Sequence, residues 1–371
     1  IPTMKLYEAG RPNETLFQII RRNVRTPDAL MGDLGAQVSS GIIASDRLNA
    51  LCDRYGLDDI SALSEEIIAR SEKATRDAIR KLPGGTYHGA SQFDVPGGET
   101  ITLDTAVTVD SDKGEITIDF QGSSGPSSMG INVVPAYTHA YATFAVRSSL
   151  NPDLPNNAGS LAPIKLKLPE DCVVNAKYPS PVNARHVVGM YVPFPILKAL
   201  AQVVPDSVVA EGSGAVWTIQ IQGKDKAGKP FTSSMFNYSG GMGARATKPG
   251  ISAVCYPTGV SAVPVEVLEA TYPIAFTCKE LEHGTGGAGK YSGGDGQRIG
   301  YRMRTGRSWL LNTIPSRLTA GPEGLLGGGD GAAGVFRING EDVTDTRKRE
   351  MQAEDEVFMI TPGGGGYGAA V

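Results

Sequence analysis

From Asn13 to Pro83, apolar residues recur at helical spacing. Asn13 stands where it can cap a helix carrying Leu16, Ile19, Ile20 and Val24 on one side. Pro27 with Asp28 opens a second helix, because proline fits the first helical position. Its apolar face would hold Leu30, Leu34, Val38, Ile42 and Ile43, and a further stretch, Leu48, Leu51, Cys52 and Tyr55, ends at Gly56. Asp58 and Asp59 start a third, with Ile60, Leu63, Ile67, Ile68 and Ile79 expected inward, and Pro83-Gly84-Gly85 stops it.

The period then changes to two. Ile101, Leu103, Val107 and Val109 predict one strand. Ile116, Ile118 and Phe120 alternate with Glu115, Thr117 and Asp119, so a second strand follows the turn at Asp112-Lys113-Gly114. Tyr137 to Leu150 reads as a helix, Ile164, Leu166 and Leu168 as a strand, and Val192 to Val204 as a short helix around Pro193. Trp217, Ile219 and Ile221 line one face of another strand. From Ser239 onward glycine and proline dominate, as in Ser239 to Gly243, Gly284 to Gly289, Gly327 to Gly331 and Thr361 to Gly368. A disordered linker is the alternative reading, but Tyr256, Leu268, Phe276, Tyr301 and Trp309 interleave throughout. Packed extended segments of the polyproline II kind use glycine where backbones meet closely. The pattern therefore predicts three regions: a helical one at 1–83, a mixed sheet and helix domain at 84–238, and a glycine-rich bundle with terminal strands at 239–371.

Composition narrows the function. The net charge of -4 and the scattered lysines and arginines speak against a nucleic-acid surface. The four cysteines, Cys52, Cys172, Cys255 and Cys278, form no CxxC pair, so neither a zinc ribbon nor a disulfide framework is expected, and a reducing cytoplasm fits. No apolar stretch reaches the roughly 18 residues of a membrane span, and no leader pattern opens the chain. Ile1-Pro2-Thr3 instead reads like the interior of a longer polypeptide.

Several motifs fail on context. Gly284 to Lys290 fits GxxxxGK, but Tyr291 stands where a phosphate loop needs Ser or Thr, and Ser292-Gly293-Gly294 breaks any following helix. His88, His139, His186 and His283 are not spaced as metal ligands. Two clusters keep chemical promise. In Asn183-Ala184-Arg185-His186, a loop arginine can hold an anion and a neighbouring histidine can move protons near neutral pH. In Gly243-Ala244-Arg245, near Pro257-Thr258, Glu266 and Glu269, glycine lets backbone approach while Arg245 could bind a carboxylate, a phosphate or a partner; an internal salt bridge is the alternative.

Taken in order, a set of short motifs resembles hydantoinase B and oxoprolinase subunits. It comprises Lys5-Leu6-Tyr7, Arg22-Asn23-Val24-Arg25, Gly32-Asp33-Leu34, Asp119-Phe120, Gly130-Ile131-Asn132, Pro155 to Gly159, Gly240 to Arg245, Pro264 to Glu269, Gly293-Gly294-Asp295-Gly296 and Thr361 to Gly368. The resemblance spans essentially the whole chain. It implies an α+β fold of N-terminal helices, β-barrel-like sheets and a polyproline II-like bundle. It further implies a hetero-oligomer with a hydantoinase A-like ATPase subunit that binds ATP. The metal-binding segments of such subunits, resembling NDPYxGGTH and HxxD, do not occur in this sequence. The implied divalent metal, zinc or manganese, would then belong to an N-terminal half that is missing here or is a separate chain. The implied chemistry is ATP-dependent opening of a cyclic amide, with ketone carboxylation and a non-catalytic scaffold role as alternatives. Arg185, His186 and Arg245 are the expected contacts to a small-molecule substrate, with no nucleic acid and no membrane involved.

Overall fold

The computed structural model describes residues 2–370, with the backbone alone at 235–237. Ile1 and Val371, the outer ends of the first and third expected regions, lie outside the described residues. The chain separates into two compact units that meet in sequence at Ile67 and Ile68.

The first unit holds a small hairpin (β1, Tyr7–Glu8; β2, Arg11–Pro12), α1 (Glu14–Asn23) and α2 (Pro27–Tyr55). The Asn13 side chain accepts the Leu16 N–H at 3.2 Å, as a capping residue should. Gly56 closes α2 in the left-handed conformation, φ 62°. The two apolar stretches of 27–55 thus join into one helix of 29 residues. Their expected inward face is not buried: no residue of α2 is, and Ile42, Ile43, Leu48 and Leu51 are exposed. Leu63 and Ile67, at the start of α3 (Ser61–Ile79), are exposed as well. Helical spacing marks an apolar face without saying what covers it.

The second unit begins within α3, at Ile68, and that helix ends on the fully buried Ile79. β3 (Gly85–Val95), β4 (Glu99–Asp110), β5 (Glu115–Asp119) and β6 (Ile164–Lys167) form a sheet in that order. β5 and β6 run parallel, and the other pairs are antiparallel. β3 escapes the period-two reading because His88 to Gln92 supply no apolar alternation. Helices α4 (Pro135–Leu150), α5 (Ala158–Leu161), α6 (His186–Gly189) and α7 (Pro193–Leu200) follow in the chain. α7 packs on β3, β4 and α4, so Ile101, Leu103, Ile118, Ala142, Leu197 and Leu200 share one core.

A second core lies between β7 (Val216–Lys224), β8 (Pro230–Ser239), α8 (Val265–Thr271), β9 (Ile274–Glu282), β10 (Gly296–Met303), β11 (Trp309–Ile314), β12 (Val335–Ile338), β13 (Glu341–Asp342), β14 (Arg349–Met351) and β15 (Glu356–Ile360). These strands make two antiparallel sheets, ordered β14-β11-β7-β8 and β13-β12-β15-β10-β9. Trp217, Ile219, Trp309 and Leu311 from one meet Tyr301, Val357 and Met359 from the other. The fold is α+β, but the expected barrel-like closure is absent: each described sheet is open, with two edge strands.

The glycine clusters come together around residues 361–366. Gly241 N–H donates to the Pro362 carbonyl (2.9 Å), Ala244 N–H to Gly365 (2.9 Å), Gly287 N–H to Gly364 (2.8 Å) and Leu325 N–H to Gly366 (2.9 Å). One extended segment is therefore bonded sideways to three others. There is no room for side chains between them: a Cβ on Gly364 would lie 2.0 Å from the Met242 carbonyl oxygen.

Candidate functional site

Asn183 to His186 form one wall of a cleft of about 260 Å³, and the strand pair β7 and β11 forms its floor. Several local features fix that wall. Asn132 is buried and donates to the Pro181 carbonyl at 2.9 Å, while Ala184 N–H donates to Gly130 at 2.6 Å. The Gly130-Ile131-Asn132 motif is thus the clamp that holds the loop ahead of α6. On α6, Gly189 leaves room for the Tyr137 ring, which a Cβ there would meet at 2.3 Å. The Arg185 guanidinium carbon lies 5.6 Å from the centre of that ring, so the cation rests on an aromatic face.

His186 Nε2 sits 2.9 Å from Thr218 Oγ1. Burial pushes the His186 ring below its ordinary value, and the Arg185 charge adds to this, so the imidazole is neutral at neutral pH. The floor is a short two-strand strip. Thr218 pairs across the sheet with Ile314, and Gln220 with Asn312; all four line the cleft. Asn312 Nδ2 donates to Gln220 Oε1 at 3.0 Å. The cleft thus offers one fixed cation, one neutral imidazole and a set of amide and hydroxyl groups. It suits a small polar, uncharged or anionic ligand.

Of the three residues expected from sequence, Arg185 and His186 meet in this cleft and Arg245 does not line it. Arg245 pairs through its backbone with Val209, which precedes the glycine-rich bundle, and its side chain donates to the Pro249 carbonyl at 2.8 Å. Its neighbour in the expectation, Glu269, instead accepts the Phe276 N–H at 2.7 Å and pairs with Arg304. Tyr137, Thr218, Gln220, Asn312 and Ile314 are the cleft residues that sequence reasoning missed. A signal existed for two of them: Thr218 and Gln220 are the polar alternates of a strand whose other face is Trp217, Ile219 and Ile221.

The described residues do not fit a bound divalent metal or a phosphate loop. No three His, Cys, Asp or Glu side chains converge among them. Within Gly284 to Lys290, the amides of Gly286, Gly287 and Lys290 are already bonded to Asp295, Gly364 and Gly368. No helix among the described residues is long and apolar enough to cross a membrane.

The whole architecture recurs in solved enzymes. A nucleotide-free acetone carboxylase structure superposes with a TM-score of 0.86 at 16% identity, covering 99% of this chain and 56% of that one. The ATP-dependent caprolactamase of Pseudomonas jessenii gives 0.85 at 22%, covering 100% and 66%. Residues 1–370 match the family described as Hydantoinase B/oxoprolinase, and the chain belongs to that family. The putative D-/L-hydantoinase of Pseudomonas sp. (strain NS671) has a B component that is 29% identical over 386 residues, covering 98% of this chain. The chain spans 64% of that relative's length.

Proposed function

We propose that this chain is part of a subunit of an ATP-dependent amidohydrolase that opens a cyclic amide such as a hydantoin, 5-oxoproline or a lactam. Family membership supports the reaction class, and the meeting of Arg185 with a neutral His186 over a polar floor is the observation that carries the site. A hydantoinase A-like subunit would bring ATP. The divalent metal, zinc or manganese, would belong to the N-terminal half of the subunit, in the same chain or a separate one. The complex would work in the cytoplasm, where the free cysteines stay reduced. In the glycine-rich bundle, the extended segments would be polyproline II helices.

Within the cleft each residue has a task that needs no group from outside. Arg185 holds the anionic substituent of the substrate, its planar guanidinium being suited to a carboxylate. Tyr137 beneath it keeps the guanidinium from swinging into solvent. His186 is poised to take up a proton because its ring is neutral at the start, and Thr218 fixes the ring by Nε2.

The test is ATP-dependent ring opening by the natively purified complex. With 5-oxoproline as substrate, Arg185→Ala should raise KM about tenfold with little change in kcat, as loss of one charged hydrogen bond does. His186→Gln should lower kcat by roughly 10²-fold. Ring opening unaffected by either change would remove the cleft from the reaction. ATP turnover driven by a ketone and bicarbonate, and by no cyclic amide, would make the complex a ketone carboxylase. No turnover with either would leave a scaffold.

A further inference from the structure

We infer that Gln220 and Asn312 form a reader for the edge of a ring amide, and so decide which compounds the cleft accepts. The inference rests on the reading of this cleft as the substrate site. The two side chains stand directly opposite each other on β7 and β11. One bond joins them, from Asn312 Nδ2 to Gln220 Oε1 at 3.0 Å. That bond occupies one arm of each carboxamide. The remaining arms, Gln220 Nε2 and Asn312 Oδ1, have no hydrogen-bond partner among the described residues, and both residues line the cleft. The pair therefore presents one donor and one acceptor together. Turning both amide groups over changes which residue supplies which, but still leaves one donor and one acceptor.

This is the complement of an amide held cis in a ring. Ring closure puts the N–H and the carbonyl oxygen on the same edge, side by side. An open-chain amide is trans, with the two groups on opposite sides. A lactam or hydantoin can therefore give its N–H to Asn312 Oδ1 and accept from Gln220 Nε2 at once. A lactone or cyclic ketone of the same shape supplies the acceptor alone and leaves Asn312 Oδ1 unpaired. The ring-opened product loses the shared edge altogether. A site built around such a pair rejects the analogue that lacks a hydrogen-bonding group far more strongly than a merely apolar pocket could.

The measurement is binding of γ-butyrolactam and γ-butyrolactone to the natively purified complex by ligand-observed NMR. The expected result is an affinity for the lactam at least about tenfold above that for the lactone. Gln220→Glu and Asn312→Asp preserve side-chain size, and an unchanged melting temperature shows that each variant is folded. Each converts the edge to acceptors, which still take the lactam N–H but offer no donor to either carbonyl. Lactam binding should therefore weaken, lactone binding should be lost, and the lactam should keep its advantage; lactone binding undiminished by either change would also overturn the reader. Equal binding of both ligands by the unaltered protein, with Arg185→Ala and His186→Gln still altering turnover in the complex, would overturn the reader and leave the site standing. No binding of either ligand, together with turnover indifferent to Arg185 and His186, would overturn both.

Discussion

Arg317 has a left-handed backbone, φ 57°, a conformation that side chains other than glycine seldom adopt. What holds it there is charge. Its guanidinium is buried, stacks 4.9 Å from the centre of the Tyr191 ring and donates to Glu211 Oε2 at 2.6 Å. Lys198 reaches the other Glu211 oxygen at 2.7 Å. Burial works to raise the Glu211 pKa, but the charges of Arg317 and Lys198 outweigh it and hold the carboxyl below its ordinary value. Such a group contributes its full stability above the unfolded pKa of about 4.3. It loses that stability as pH falls through the lower folded value. Glu211→Gln leaves a buried guanidinium without its counter-charge and should cost about 3–5 kcal/mol in urea unfolding at neutral pH. The variant's stability should also fall less steeply than the parent's in acid. Matching unfolding curves at neutral pH would show that the cluster contributes nothing. None of this was legible in the sequence, because Glu211 and Arg317 lie 106 positions apart with no local pattern to join them. Arg185 and His186 were legible because they are neighbours in one loop. Gln220 could be read only as a polar alternate of its strand, and its meeting with Asn312 could not be read at all, because strand pairing alone brings them together.

Glycine serves opposite ends in different elements, and substitution separates them. In α2, a Cβ on Gly35 would meet nothing within 4 Å. Gly35→Ala should therefore stabilise the helix by about 1 kcal/mol, alanine having the better helix propensity. In the bundle, Gly364→Ala drives a methyl onto the Met242 carbonyl oxygen and should cost about 3 kcal/mol or more. Thermal melting followed by circular dichroism would compare the two. A bundle that tolerates alanine at 364 as well as α2 does at 35 would mean that its segments do not meet as closely as described. Helix ends were readable from sequence because the signals are local: Asn13, Pro27 and Gly56 act on groups within one turn. The glycine runs were readable as close contacts for the same reason, since only glycine fits there. β3 was not, because its inward residues are set by α7 lying across it and not by its own alternation. The exposed face of α2 marks the same boundary, since spacing fixes which residues share a side and nothing more.

Across the whole molecule, the order of segments in the bundle departs from their order in the chain. Residues 361–366 are bonded to 241–244, 287–294 and 325–329, all of which precede them. Removing residues 361–371 should cost the tertiary packing of the bundle while sparing much of the helix content in 14–79. Near-ultraviolet circular dichroism would lose its fine structure, whereas the far-ultraviolet helix signal would persist. A truncated chain with native near-ultraviolet signal would show the closing segment to be dispensable. During synthesis the walls of the bundle emerge first, and the segment that fills their middle emerges after them. Domains generally fold in the order they are made, but here a large part of the chain must wait, its glycine amides and carbonyls still bonded to water. The interval between making the walls and closing them is when a growing chain is most open to misassembly, so translation speed across residues 330–360 becomes a determinant of yield.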